Sequence, residues 1–411
     1  MKIAFFVGEF PLLSESFILN QLTGLIDRGH EVFIYSLYGK PSNLSKLHPN
    51  VEKYQLIERT YYCPKIPKNY LLRLLKGIGL VLANFPKSPL MLLQLINIFK
   101  YGKQAASLNL LYQAIPLIGQ AASYDIIHCQ FGTYGLSGRV FRQLGLIQGK
   151  IVTTFRGKDI SRDIKKYGDN LYEQLFQEGE YFFTNCEFFR QRVLKLGCDE
   201  NKIVVHGSGI DCNKFSFTPR NLAAGEHIKI ATIGRLTEKK GIKYCIEAIA
   251  QVVKDYPHLE YNIIGDGNLK EDLEQLIENL NLQSVVKLLG SKQQKEIIDI
   301  LNQSHLFIAT SITAKDGDQD APVNTLKEAM AMGLPVISTW HGGIPELVED
   351  GVSGFLVGEG DSEAIAQSLL YLIEHPENWT QMGHAGRTRV EKKYNMQHLN
   401  DELVKIYQHL L

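Results

Sequence analysis

Two cations, Arg235 and Lys240, stand among glycines in the run Gly234-Arg235-Leu236-Thr237-Glu238-Lys239-Lys240-Gly241. A guanidinium fork, an ammonium point charge and the free N–H groups of a helix start together suit a diphosphate. Gly234 and Gly241 let the backbone come close to a ligand or turn tightly. Asp320 and Glu328 follow, flanking an Ala/Pro segment, and carboxylates accept hydrogen bonds from sugar hydroxyls. Gly265-Asp266-Gly267 and Gly342-Gly343-Ile344-Pro345-Glu346 add two tight turns that can offer N–H groups. Each piece has a plainer reading: a solvated charged turn at 238–240, or a favourable charge near a helix N-terminus for Glu328. As a set, each is a turn at a strand end in an alternating strand/helix pattern, where open α/β sheets place ligands. The set points to a nucleotide-sugar site.

Those turns need strands and helices to hold them. Apolar runs at 228–233, 261–264, 285–289, 306–310, 335–338 and 354–357 alternate with helical patterns at 242–256, 269–280, 292–303, 325–332 and 361–374. The N-terminal half alternates too, with strands at 2–7, 31–35, 126–129, 151–155, 181–184 and 203–205 and a first helix at 15–28. Strands separated by helices imply βαβ units and a mostly parallel sheet. Residues 214–227 are polar and aperiodic and read as a linker. A chain of 411 residues exceeds one open α/β core. Two α/β domains are therefore expected, 1–217 and 218–385, followed by a helical tail at 386–411.

Composition narrows the function. Lys plus Arg and Asp plus Glu number 44 each, which argues against nucleic acid as a partner. Six scattered cysteines with no CxxC pair read as reduced, mostly buried thiols of a cytoplasmic protein. The apolar run at 1–7 is too short for a signal-peptide core and reads as a strand. No GxGxxG loop follows it, which weighs against a dinucleotide oxidoreductase or a sugar epimerase.

The charge balance fails locally. From Arg59 to Tyr124 there are eight basic residues and no Asp or Glu, with leucine-rich runs between the cations. Pro86 and Pro89 interrupt those runs, so no span of about 20 apolar residues exists. Two readings stand: basic amphipathic helices lying on anionic lipid, or core helices with solvated lysines.

The ordered set resembles the retaining glycosyltransferases of the large GT4 type, which have a GT-B fold and a "glycosyl transferases group 1" C-terminal domain. The resemblance covers nearly the whole length. Gly8-Glu9-Phe10-Pro11 with Ser14-Glu15-Ser16-Phe17-Ile18, and the run from Thr153 to Ser161, resemble the colanic-acid and exopolysaccharide branch. The family implies two Rossmann-like domains facing across a cleft, the acceptor on 1–217 and the donor on 218–385, with the tail 386–411 returning to the N-terminal domain. It implies that Arg235 and Lys240 hold the diphosphate and stabilise it as it leaves. Glu328 would bind the donor ribose. Asp320 would lie against the donor sugar, one methylene shorter than the family's glutamate, with Asp316 and Asp318 as alternatives. Gly8, Gly234, Gly265, Gly342, Gly343 and Ile344 would lie along the donor. Glu9 and His128 fall on the acceptor side, and His206 and Gly209 on the hinge side.

One position departs from the family. Where its HGxD motif has a histidine near the reacting sugar, this chain reads Arg156-Gly157-Lys158-Asp159. An arginine cannot act as a base. The resemblance implies that the departing phosphate oxygen serves as the base, so Arg156 is expected in the site of a working enzyme. A purely structural role and a loss of activity are the alternatives. Asp159 would orient neighbouring backbone groups. The resemblance thus implies retaining transfer of a hexosyl unit from a nucleotide diphosphate sugar, with UDP favoured over GDP and the sugar left open. The acceptor would be a lipid-linked oligosaccharide of exopolysaccharide, capsule or O-antigen synthesis. No cofactor and no donor-site metal are expected, and residues 59–124 would touch the inner face of the plasma membrane. An inert nucleotide-sugar-binding relative and a transferase with a soluble acceptor are the rival readings.

Overall fold

In the computed structural model, which describes residues 1–12, 15–41, 47–223 and 225–411, the described strands form two sheets. The first is built from β1 (Lys2–Val7), β2 (Glu31–Ser36), β3 (Thr60–Tyr62), β4 (Ala122–Cys129), β5 (Ile147–Phe155), β6 (Tyr181–Thr184) and β7 (Ile203–Val205), in the order β3-β2-β1-β4-β5-β6-β7. The second holds β8 (Ile228–Ile233), β9 (Leu259–Ile264), β10 (Val286–Gly290), β11 (Leu306–Ala309), β12 (Val336–Thr339) and β13 (Gly354–Val357), in the order β10-β9-β8-β11-β12-β13. All neighbours pair in parallel. Residues Ile3 to Val7 are fully buried, as a strand covered by helices on both faces requires.

Each sheet reverses its winding once. The chain runs outward from β1 to β3 and returns to lay β4 beside β1. It repeats the move from β8 to β10 before β11 returns beside β8. Splayed connections at these switch points leave a crevice at the strands' carboxyl ends. Gly8 follows β1, Arg156 follows β5, and the run from Gly234 follows β8.

Several expectations shift. Strand β3 was not legible as one: it is three residues long, at the sheet edge and half exposed. The helix expected at 242–256 ends at Val252. The stretch expected as a linker is packed along the second domain. Phe215 is buried with Ala231, Ile233 and Met330, and the buried Arg220 donates to Asn302 O at 2.7 Å and Met332 O at 2.8 Å. The second core therefore recruits residues before 218. Residues 386–394 are the latter half of the helix Trp379–Tyr394, whose Val390 and Tyr394 join the second core. The chain crosses back at Asn395. The helix Met396–Leu410 then packs on the helix Ser16–Asp27, with Leu403 and Tyr407 in the first domain's core. Ser14 lies outside the described residues.

The basic, leucine-rich region forms the helices Tyr70–Asn84, Pro89–Leu95 and Ile98–Ala106. The first buries only Gly77 and Asn84. Leu71, Leu75, Leu82, Leu90 and Phe99 are exposed, so the core-helix reading fails for most of this face. Among the described residues no helix is long and apolar enough to cross a membrane.

Candidate active site

The loops after β8, β9, β11 and β12 meet at the carboxyl edge of the second sheet. A Cβ on Gly265 would lie 1.8 Å from Gly234 O, and one on Gly342 (φ +51°) 2.1 Å from Asp320 O. Only glycine lets these loops close on one another. The N–H groups of Gly342 and Gly343 carry no hydrogen bond among the described residues. Ile344 differs: its side chain is fully buried, and its N–H is taken by His341 O at 2.9 Å. Its expected place along the donor is therefore that of a core residue under the turn.

Asp320 is the centre of a charged cluster. Its carboxylate lies 2.8 Å from Lys240 Nζ and 3.1 Å from Lys239 Nζ, and it accepts from the Ser311 hydroxyl at 2.9 Å. Burial alone would raise its pKa, but Lys240 and then Lys239 hold it well below the usual carboxylate range. Its N–H donates to His341 Nε2 at 2.9 Å, and His341 Nδ1 donates to Glu359 at 2.6 Å. Asp318 pairs with Lys239 at 3.1 Å, and Asp316 faces Arg162 at 3.4 Å. Of the three acids in this loop, Asp320 alone touches Lys240.

Arg235 is exposed, and its side chain makes no hydrogen bond or ion pair among the described residues. Glu328 lies one residue further into its helix than expected, because the helix runs Asn324–Ala331. It is half-buried and has no hydrogen-bond partner among the described residues. Burial pushes its carboxyl up to about 7, against the pull of Lys327. Lys327 is itself buried. It donates to Ser208 O at 2.8 Å and Asn324 Oδ1 at 3.1 Å, and lies over the Tyr394 ring.

Across the cleft, Arg156 is 7% exposed. It donates to Ser208 Oγ at 3.0 Å and Gln130 Oε1 at 2.7 Å, and its guanidinium lies 4.3 Å from the Phe17 ring centre. Burial lowers its pKa to about 10, so it stays charged at neutral pH. Asp159 accepts from the N–H groups of Gly132, Arg156 and Gly157 and fixes this turn. Gly8 abuts Tyr134, whose hydroxyl would be 2.5 Å from a Cβ there. Glu9 is half-buried in the same loop.

His128 does not reach the acceptor side. It is fully buried, with the Tyr407 hydroxyl 2.5 Å from Nδ1 and the Thr154 hydroxyl 2.6 Å from Nε2. Burial, then Arg156 and His206, keep it neutral. His206 is likewise buried and donates to Leu399 O at 2.8 Å. Gly209 packs against Met396.

Sequence reasoning passed over several residues the structure brings to the cleft: Glu15, Phe17, Ser208, Lys239, Lys327 and His341. Glu15 and Phe17 stood in the N-terminal motif, Lys239 and Lys327 beside chosen residues, and His341 before Gly342, but only the packing separates them from their neighbours. The two domains also touch directly. Glu346, which closes the turn from Gly342, accepts from the N–H groups of Glu187 and Phe188. Arg192 donates to Gln319 Oε1 at 2.8 Å, and Lys165 to Lys315 O at 2.9 Å.

Two parallel-sheet α/β domains with a polar cleft between their strand ends define the GT-B glycosyltransferase architecture. Solved structures agree on the fold. Anabaena HepE, solved with UDP and glucose, superposes over 100% of both chains at TM-score 0.71 and 18% identity. The lipopolysaccharide outer core galactosyltransferase WaaB does so over 100% of both chains at TM-score 0.65 and 18% identity. The model of the family "Glycosyl transferases group 1" matches residues 214–389. The putative colanic acid biosynthesis glycosyltransferase WcaL of Escherichia coli is 36% identical over 415 residues, covering 100% of each chain. The amylovoran biosynthesis glycosyltransferase AmsK of Erwinia amylovora is 35% identical over 412 residues, again covering 100% of each. The chain belongs to the group 1 glycosyltransferases, in the family of the colanic acid and amylovoran biosynthesis enzymes.

Proposed function

We propose that this protein is a retaining glycosyltransferase that moves a hexosyl unit from a nucleotide diphosphate sugar to a lipid-linked oligosaccharide in exopolysaccharide synthesis. One observation carries the donor reading. The unpaired Arg235 and the free N–H groups of Gly342 and Gly343 lie on strand-end loops of one domain, with Lys240 held by Asp320 among them and the unpartnered Glu328 on the adjoining helix. Cations and N–H groups bind the diphosphate, and Glu328 takes the ribose hydroxyls. UDP is favoured over GDP on family likeness, and HepE binds UDP on the same fold.

In the reaction the acceptor oxygen bonds to the anomeric carbon as the bond from that carbon to the phosphate oxygen breaks. The electron pair leaves with the diphosphate, and the hydroxyl proton passes to the departing phosphate oxygen on the same face. The α configuration is kept. Arg235 and Lys240 stabilise the charge that develops, and Asp320 holds Lys240 in place beforehand. Asp320 also lies against the donor sugar. Arg156 keeps a fixed positive charge under the acceptor side. No metal is assigned here, because Lys239 and Lys240 already neutralise Asp320.

The membrane reading rests on the face formed by the helices Tyr70–Asn84, Pro89–Leu95 and Ile98–Ala106. Exposed leucines and Phe99 share it with exposed Lys68, Lys76, Lys87, Lys100 and Lys103, the pattern of a surface that rests in an anionic interface. On this reading the enzyme works at the cytoplasmic face of the membrane, where a lipid-linked acceptor is presented.

The test is nucleotide diphosphate release from a panel of UDP- and GDP-sugars, with and without a lipid-linked acceptor extract. Acceptor-dependent release with an α-linked product supports the reading. A β-linked product overturns retention. Tight nucleotide binding without turnover on any acceptor makes the protein an inert relative.

A further inference from the structure

Glu15 ends the loop after β1 and stands immediately before the helix Ser16–Asp27. A residue there commonly turns a side-chain oxygen onto the first N–H groups of its helix. Glu15 does not. Its Oε2 is sealed from solvent with no hydrogen-bond partner among the described residues. Buried carboxylate oxygens are costly to leave unmatched.

The charged groups that face Glu15 come from both sides of the cleft. They are Arg156 after β5, Arg235 after β8 and Glu9 in its own loop, with Tyr134 from the neighbouring helix. His48 lies with Glu15 on the rim of an adjoining apolar cleft. Arg156 has an unmatched atom too, its buried Nε. One cluster thus contains an acceptor without a donor and a donor without an acceptor, and the two do not satisfy each other. A diphosphate would be repelled by the carboxylate. A hydroxyl both donates and accepts, so a single such group can complete both.

Resting on the transferase reading above, we propose that Glu15 contacts the attacking hydroxyl of the acceptor sugar and, with Arg156, aims its oxygen at the anomeric carbon. The hydroxyl's single proton is shared between the Glu15 carboxylate and the departing phosphate oxygen, one lone pair accepts from Arg156 Nε, and the other stays free for attack. The proton leaves for the departing phosphate oxygen as the new bond forms, so Glu15 orients the nucleophile and is unchanged at the end. Burial pushes the Glu15 carboxyl up to about 7 against the pull of Arg156 and Arg235. It therefore becomes a full acceptor only as pH rises through the neutral range, and a diphosphate on Arg235 moves that point higher.

The experiment compares the full-length wild type with Glu15→Gln and Glu15→Ala. It reads UDP affinity by calorimetry, acceptor-dependent nucleotide release, acceptor KM, pH profile and Tm. Both variants are expected to bind UDP at least as tightly as the wild type, because the charge that repels a diphosphate is gone, and to lose transfer by about 10- to 100-fold, the worth of a hydrogen bond to a charged group. The wild-type rate should rise through pH 7 and above, and Glu15→Gln should lack that limb. If Glu15→Ala fails to fold, the isosteric Glu15→Gln carries the test. Wild-type transfer and an unchanged pH profile in Glu15→Gln overturn the proposal. A wild type that releases no nucleotide with any acceptor overturns the transferase reading instead, and this proposal with it.

Discussion

Glu346 Oε1 lies 2.9 Å from the backbone N of Phe188, and its Oε2 lies 2.8 Å from the N of Glu187. A carboxylate of the second domain thus caps the helix Glu187–Lys195 of the first. The leading N–H groups of a helix need acceptors and favour negative charge. Glu346→Ala should cost about 1 kcal/mol of stability and loosen the domains. Thermal unfolding checks the first effect, and small-angle scattering, as a larger radius of gyration, the second.

Arg235 and Lys240 should separate on mutation. Arg235 is exposed and unpaired, so Arg235→Ala should leave Tm unchanged and weaken UDP by about 10- to 100-fold. Lys240→Ala should weaken UDP as well and also lower stability by about 1–3 kcal/mol, because buried Asp320 then keeps only Lys239 and Ser311. Calorimetry with UDP alongside thermal melts distinguishes the two.

Glu328 should show a pH-dependent cost. Its carboxyl is raised from 4.5 to about 7, so the folded state holds the proton more tightly than the unfolded one. Its contribution is most favourable below pH 4.5, falls as pH rises to 7 and stays low above that. Glu328→Gln should equal wild type in stability at pH 4 and exceed it by about 1–2 kcal/mol at pH 8, less than the full shift because the half-buried carboxyl is partly screened by solvent. UDP affinity should fall in the same variant. Urea denaturation at the two pH values gives the stability difference.

Arg156 should behave as a platform rather than a phosphate ligand. Lysine cannot span Ser208 and Gln130 together. Arg156→Lys should therefore lower stability by about 1–3 kcal/mol and slow transfer, while UDP affinity stays within error. A large drop in UDP affinity would place Arg156 on the diphosphate instead.

The exposed apolar face should govern vesicle binding. Leu75→Glu with Leu82→Glu alters two exposed side chains, so Tm should hold while sedimentation with phosphatidylglycerol vesicles falls. Wild-type binding should weaken as salt rises, since screening removes the lysine contribution of about 1 kcal/mol per charge near the surface.

The sheets were legible because their strands are short, mostly apolar runs ended by glycine, as from Ile3 to Gly8 and from Ile228 to Gly234. Strand β3 was not, because two half-exposed tyrosines at a sheet edge carry no such pattern. Spacing found the loop of Arg235 and Lys240 but could not tell that Lys239 shares Asp320. Nor could it show that His128 is buried, since its cover is Tyr407, far along the chain. Glu346 looked like a local turn residue because its partners, Glu187 and Phe188, belong to the other domain. What escaped the sequence is long-range pairing, which side-chain types alone do not specify.

The helix Met396–Leu410 closes the first domain from the far side of the second in sequence. Leu403 and Tyr407 fill its core, Tyr407 bonds His128, and Asn400 Nδ2 donates to Asn20 O at 3.2 Å. On the ribosome the first domain must therefore wait, its sheet built but one side open, while the second is translated and folded. Translation order becomes a quality check: a chain cut short at Asn395 keeps the second domain whole and lacks the piece that seals the first. Such a product can hold a nucleotide on an intact second domain without completing the other wall of the cleft.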